Sequence, residues 1–346
     1  MIEKNITMAH GSGGESTGRL IAEIFAKYFH NEYLDSMNDA SVMPAPGGRI
    51  AMTTDSFVVT PVQYPGGDIG RLCVCGTVND LLMSGAVPKY LSCGFILEEG
   101  LPADRLEAVV QSMAETAREA GVLIVTGDTK VIEARGSAQG QAAESGLMIN
   151  TAGIGILPEG MTEPGPKNLK PGDAIIVSGT LGEHHAAILA SRMGLENTRI
   201  ESDNAPLTEM VLALRKSGIQ VHAMRDVTRG GLATVLNEFA SASRVMITLE
   251  QEKIPVLKEV QDFCGILGLD PLYMGNEGKM TLAVAPEDAE RAAEVVRGCR
   301  YGAGAAVIGT VSEVPEGGSP ALLEQTGIGG KRVLGPLYGE GLPRIC

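Results

Sequence analysis

The chain has 346 residues and a formal net charge of −14, with 28 Lys and Arg against 42 Asp and Glu. No basic stripe interrupts that acidity, which argues against nucleic acid or an anionic membrane as partner, and a phosphate ligand would need divalent cations to bridge it to the carboxylates. Hydrophobic residues make up 44% and charged residues 20%, and the length suits two domains that each bury a core.

Trp is absent and aromatics are 4%, so packing rests on Leu, Ile, Val, Ala and Met. The start, Met1–Asn5, lacks a charged-then-apolar leader pattern. No uncharged apolar run approaches the roughly 18 residues of a membrane span. The cysteines (Cys73, Cys75, Cys93, Cys264, Cys299, Cys346) are scattered without a CxxC pair and read as reduced thiols of a cytoplasmic protein.

In chain order, His10-Gly11-Ser12-Gly13-Gly14 precedes an amphipathic helix predicted over Ser16–Tyr33, with Leu20, Ile21, Ile24, Phe25, Tyr28 and Phe29 on one side. Gly13–Gly18 approach the P-loop template, but Arg19 and Leu20 stand where Lys and Ser/Thr belong, which excludes it. A glycine loop over phosphates stays open beside a plain flexible N-terminus. Strands are predicted at Ile50–Asp55, Lys89–Leu97, Val122–Lys130 and Leu147–Leu157. Helices fall around Gly76–Met83 and over Pro102–Ala120, and Ala134–Ser145 reads as a mobile loop. Residues 158–171, rich in Pro, Gly and Lys, read as a linker between a domain at 1–157 and a second at 172–316. The second half alternates again: strands at Asp173–Ser178, Val221–Met224, Met246–Leu249, Lys279–Val284 and Ala306–Val311. Its helices are Glu183–Arg192, Leu207–Lys216, Leu232–Ala240, Val256–Leu267 and Pro286–Val296. After Gly317 periodicity is lost, and 317–346 reads as a tail. The class is α/β in two unequal halves.

Asp39, Asp55, Asp80 and Asp128 each read as sitting at a turn or element end after a separate apolar segment. Converging on one edge, they could hold Mg²⁺ on a polyphosphate; capping and turn chemistry explains the same residues without a metal. Lys130, two residues after Asp128, could neutralise a transferring phosphoryl group or simply be solvated. Glu277, flanked in Gly275-Asn276-Glu277-Gly278-Lys279, could be held near a ligand as a base or be a solvated turn residue. His184-His185 and Cys73-x-Cys75 lack the further ligands of a zinc site. Gly341-Leu342-Pro343-Arg344-Ile345-Cys346 presents a thiol on a glycine hinge stiffened by proline, either a carrier or an accident.

Together these motifs resemble one family. His10–Gly14, Thr54–Val59, Pro65–Gly70, Gly76–Leu81, Thr126–Val131, Thr228–Ala233, Gly275–Gly278 and the closing Pro343–Cys346 are similar to the hydrogenase maturation factors of the HypE family, over essentially the whole chain. Several motifs are shared with the wider superfamily of aminoimidazole ribonucleotide synthetase and selenophosphate synthetase; Pro-Arg-Ile-Cys separates HypE from it. Val227 stands where that family usually has Pro, Ser41 where Ala is usual, and the loop from Glu133 to Gly146 is longer.

The resemblance implies a two-domain, aminoimidazole ribonucleotide synthetase-like fold, α+β by family, with a flexible C-terminal tail and a homodimer built through the N-terminal domain. It implies an ATP-dependent carbamoyl dehydratase. The carbamoyltransferase HypF would load a carboxamide onto Cys346, and dehydration would turn the thiocarbamate into a thiocyanate. The cyano group would pass to the HypC–HypD complex for a nickel–iron hydrogenase. By the same resemblance Mg²⁺ and ATP fall to Asp39, Asp55, Asp80 and Asp128, with His10, Gly11, Ser12, Gly13 and Gly14 over the phosphates. Asn79, Asp226 and Asn276 would help to bind the nucleotide. Lys130 would stabilise the transferring group and Glu277 would remove a nitrogen proton.

Overall fold

The computed structural model describes residues 4–12, 14–36, 40–44, 47–134, 146–195 and 198–337; Gly13, Asp39, the predicted loop Ala134–Ser145 after its first residue, and Cys346 lie outside them. The chain divides between Gly160 and Met161 into two compact units.

The first unit opens with a helical run made of α1 (Glu15–Leu20), a π turn (Ile21–Phe25) and α2 (Ala26–Phe29). The predicted helix stops short of Tyr33 because the Asn31 side chain accepts from Tyr33 N and Leu34 N, a turn that competes with helical bonding. Then follow β1 (Arg49–Phe57), the short β2 (Gln63–Tyr64) and β3 (Gly67–Asp68), α3 (Ile69–Met83), β4 (Val87–Glu98), α4 (Ala103–Ala120), β5 (Leu123–Ile132) and β6 (Leu147–Leu157). Among the described residues the main sheet has the order β1-β6-β4-β5. The β4–β5 pair is parallel and needs a crossover, which α4 supplies.

Period-two alternation makes this sheet two-faced. Along β1 the odd residues Ala51, Thr53 and Asp55 are half-buried, whereas Ile50, Met52, Thr54 and Ser56 are exposed. Leu106, Val110, Met113 and Ala117 of α4 recur at helical spacing and are buried. Helix α3 is mostly apolar and buried except at the half-buried Arg71 and Asp80, with Leu72, Val74, Val78 and Leu82 at 0% exposure. It reaches the sheet closely: a Cβ at Gly153 would sit 2.8 Å from Thr77 Cγ2, so only glycine fits there.

The second unit holds β7 (Ala174–Val177), α5 (Glu183–Arg192), α6 (Thr208–Lys216), β8 (Val221–Asp226), α7 (Gly231–Ser243), β9 (Val245–Glu250) and α8 (Lys258–Leu267). It continues with β10 (Met280–Val284), α9 (Ala289–Arg297), β11 (Ala306–Glu313), β12 (Ala321–Gln325) and β13 (Lys331–Val333). Its strands run β13-β12-β9-β11-β7-β10-β8, mostly antiparallel, which makes the unit α+β. The inner strands β7 and β10 are buried along their whole length, as their unbroken apolar runs require.

The tail predicted from Gly317 is corrected here. Strand β12 adds to β9 in parallel, and β13 pairs with β12. The pattern hides because β12 spans only five residues and β13 is exposed throughout. The contact that fixes them is tertiary, with Leu322 in the core beside Ile247 and Phe239. No helix among the described residues is long and apolar enough to cross a membrane.

Candidate active site

Asp128 and Lys130 lie two residues apart on β5, so both side chains leave the same face. Lys130 Nζ stands 2.7 Å and 2.6 Å from the two Asp128 carboxylate oxygens. That ammonium holds the Asp128 carboxyl below its ordinary range. Both groups are exposed, so the pair adds little to stability.

The N-terminal turn docks on the same strand. A Cβ at Gly11 would stand 2.8 Å from Val131 N. His10 is buried and closes a 3₁₀ turn over Met8–Gly11, its Nδ1 accepting from Thr7 N at 3.0 Å. Of the loop expected over phosphates, the His10 side chain is thus committed inward. Ser12 Oγ likewise donates to Ala9 O at 2.9 Å, and Gly14 caps α1. Beside Asp128 opens a cavity of about 390 Å³, lined by Ile21, Phe25, Phe29, Phe95 and Val125. Its size falls in the range of small-molecule sites.

The other carboxylates gather at the far side of the sheet. Asp80 Oδ2 accepts from Thr53 Oγ1 at 2.8 Å, and a Cβ at Gly76 would lie 3.6 Å from Asp55 Oδ2. Thr53 and Asp55 share a strand face; Gly76 and Asp80 are one helical turn apart. Helix α3 and strand β1 therefore set Asp55 and Asp80 along one seam. Thr151 fastens that helix, bonding to Thr77 Oγ1 at 2.5 Å and to Cys73 O at 3.0 Å. Asn79, on the same helix, is buried.

Two expectations are corrected by this arrangement. Asp55 and Asp128 lie inside strands, and Asp80 lies inside a helix, rather than at element ends. Nor do Asp55 and Asp80 meet Asp128 at one edge of a single copy. β1 and β5 are the outer strands, and three steps of about 4.8 Å put roughly 14 Å between them. Among the described residues no three His, Cys, Asp or Glu side chains cluster as a metal site.

In the second unit, Glu277 sits in the turn before β10 and is 4% exposed. Its neighbour Asn276 is fully buried. The Asn276 carboxamide accepts from Gly182 N at 2.7 Å and donates to Val227 O at 3.1 Å and Met274 O at 3.2 Å. Asn276, expected as a nucleotide contact, has its carboxamide engaged in bracing the turn. Asp226 is buried at the end of β8, opposite Met280. His184 and His185, set aside as zinc ligands, are both buried; His184 Nδ1 meets Ser202 Oγ at 2.7 Å. Asp203, which no motif singles out, grips the Glu277 turn from 74 residues earlier. No local spacing links those positions.

Two family models match, the AIR synthase related protein N-terminal domain over residues 37–157 and its C-terminal domain over 170–319. The chain is 48% identical to the carbamoyl dehydratase HypE of Cupriavidus necator over 343 residues, which is 99% of this chain and 95% of that protein. A crystal structure of the hydrogenase maturation protein HypE in complex with ATP matches with a TM-score of 0.91 at 46% identity, covering 98% of this chain and 99% of that one. This chain belongs to the HypE family of carbamoyl dehydratases, which are hydrogenase maturation proteins. A chain in a crystal structure of a HypE–HypF complex is also similar, with a TM-score of 0.77 and 43% identity over 92% of this chain and 99% of that one.

The two point departures from the HypE pattern each make a bond that the usual residue would not. Ser41 Oγ donates to Val125 O at the rim of the cavity. Val227 N donates to Lys279 O at 2.9 Å, and proline has no N–H to give. Val227 thereby adds a tie between β8 and the Glu277 turn.

Proposed function

We propose that this chain is an ATP-dependent carbamoyl dehydratase that carries its substrate on Cys346 and supplies the cyanide ligand for a nickel–iron hydrogenase. The observation that carries this reading is the β5 arrangement, an Asp128–Lys130 pair at the mouth of an apolar cavity with the Gly11 turn beside it. A nucleotide base suits the cavity, and phosphates suit the charged mouth. The similarity to a HypE crystallised with ATP supports the same assignment.

The carboxylate oxygens of Asp55, Asp80 and Asp128 fit a hard divalent cation such as Mg²⁺, and those residues would hold it, with Asp39 outside the described residues. Bound Mg²⁺–ATP would supply the phosphoryl group that makes the carboxamide oxygen a leaving group, with its charge partly neutralised. The Lys130 ammonium then orients that oxygen and offsets its growing negative charge. Glu277, held in a rigid turn, takes a proton from the nitrogen as the C≡N bond forms.

The carrier assignment rests on the other thiols. Cys73, Cys75, Cys93, Cys264 and Cys299 are buried and in no disulfide. Burial pushes Cys93 up to about 12 and Cys264 up to about 11, far from a reactive thiolate. Free thiols also suit the reducing cytoplasm we propose for this protein. Loading would come from a HypF-type carbamoyltransferase, and a HypC–HypD complex would accept the product.

We further infer a homodimer. Ile50, Met52 and Ile96 lie on the open face of the sheet with exposures of 67%, 72% and 41%, and such an apolar face calls for a cover. A second copy placed by a two-fold axis would bring its β1 seam toward the β5 mouth of the first. That would unite the carboxylates a single copy keeps apart.

Intact-mass measurement tests the reading. After incubation with the carbamoyltransferase, carbamoyl phosphate and ATP, the protein is expected to gain a carbamoyl group at Cys346 and then lose one water, the loss requiring ATP. Glu277→Gln is expected to load normally and keep the water. An adduct that persists in Cys346→Ala, or water loss without ATP, overturns the proposal.

A further inference from the structure

We propose that Asp203 is the positioning residue for Glu277, fixing the turn from which the base acts; this rests on Glu277 being that base. Asp203 lies in the segment before α6, yet its carboxylate is the centre of the Glu277 turn. One oxygen, Oδ1, accepts from Glu277 N at 3.1 Å. The other, Oδ2, accepts from Gly278 N at 3.1 Å and from Lys279 Nζ at 3.1 Å. Donors from three successive residues thus converge on one carboxylate.

The grip is returned and enclosed. Ala205 N donates to Glu277 O at 3.3 Å, so both ends of the Glu277 residue are held by the 203–205 segment. A Cβ at Gly278 would stand 1.9 Å from Asp203 O, so the two backbones touch and no side chain can part them. The Asp203 and Lys279 side chains are 2% and 9% exposed, so water does not compete for these bonds. Glu183 Oε1 lies 3.8 Å from Lys279 Nζ, but burial pushes that carboxyl up. Asp203, at 3.1 Å, is the carboxylate nearer the lysine. A buried carboxylate with three donors is well paired, and removing it would strand Lys279 and two peptide N–H groups.

Asp203 need not touch substrate; its effect is to hold the Glu277 Cα where its carboxylate meets the nitrogen proton. A base misplaced by about 1 Å can lose roughly 100-fold in rate. Single-turnover loss of water from carbamoylated Cys346 is the readout, compared in wild type, Asp203→Asn, Glu277→Gln and the double variant. Asp203→Asn is expected to load fully, keep wild-type ATP affinity and lose water about 100-fold more slowly. The double variant is expected to be no slower than Glu277→Gln alone, because both changes remove the same function. A general structural role would instead slow the double variant further.

A wild-type rate in Asp203→Asn, or a full additional loss in the double variant, overturns the inference. If Glu277→Gln itself loses water at the normal rate, the reading of the base falls. If Glu277→Gln is blocked while Asp203→Asn is not slowed, only the positioning role falls. Should Asp203→Asn fail to fold, Asp203→Glu keeps the charge but displaces it by one methylene. The same slowing with full loading is then expected, and a wild-type rate overturns the role.

Discussion

His185 shows how much one side chain can owe to burial. It lies on α5 with its Nδ1 accepting from Gly275 N at 3.4 Å, and its pKa is pushed down to about 4, first by burial and then by His184 and Arg192. An unfolded histidine titrates near 6.5. Above that pH both states are neutral and the group is silent. Between about 6.5 and 4 the unfolded chain takes up a proton that the folded chain refuses, so stability falls as pH falls. The full window corresponds to about 3 kcal/mol, an upper figure for one site. Denaturant titrations at pH 7 and pH 4.5 should show His185→Gln losing about 2 kcal/mol less than wild type over that interval. Equal losses would mean that His185 is protonated in the fold. At this scale the sequence was half legible. The predicted strand Val122–Lys130 holds Asp128 and Lys130 two residues apart, a spacing that places both on one strand face. The burial of His184 and His185, and the reach of Asp203 across 74 residues, are tertiary facts with no local trace.

Elements were read more surely than their neighbours. Helix α4 has a clear 3.6-residue stripe, and β6 has bounded apolar alternation, so both were predicted close to their observed limits. β12 and β13 leave little periodicity because such short strands take their register from the strand beside them. Strand order is illegible too, because nothing local says that β6 and β4 come between β1 and β5, and so spacing alone cannot show that Asp55 and Asp128 lie apart. Gly76 is where element packing meets the site. A Cβ there would stand 2.8 Å from Phe57 Cζ and 3.0 Å from Phe57 Cε1, so even alanine wedges α3 from β1. Overpacking of this kind costs about 1–3 kcal/mol. Gly76→Ala is expected to lower the melting temperature and also weaken ATP binding at limiting Mg²⁺, since Asp80 moves with the helix. Gly265→Ala in α8, where a Cβ meets nothing within 4 Å, is the control and should be neutral or slightly stabilising. Unchanged ATP affinity in a destabilised Gly76→Ala would separate the α3–β1 seam from the nucleotide site.

At the scale of the whole molecule, the two-sided sheet poses a requirement that one copy does not meet. The open face is apolar at Ile50 and Met52, while Asp55, with Asp80 of α3 along its seam, and the Asp128–Lys130 pair belong to opposite outer strands. Under the proposed two-fold axis each complete site takes β1 and α3 from one copy and β5 from the other. Met52→Lys, which charges the open face, is expected to shift sedimentation from dimer to monomer and abolish ATP-dependent water loss together. A stronger check separates a composite site from a merely stabilising interface. Asp80→Asn and Lys130→Ala each damage both sites of their own homodimer. In a mixed dimer one site gathers both lesions and the other is intact. Co-expression in equal amounts gives half mixed dimers, each with one intact site, so activity should recover to about a quarter of wild type. If each copy held its own site, every site in the mixture would carry one lesion, and activity would stay at the mean of the two variants. Recovery above that mean identifies the shared site, and its absence assigns Asp80 and Lys130 to the same copy.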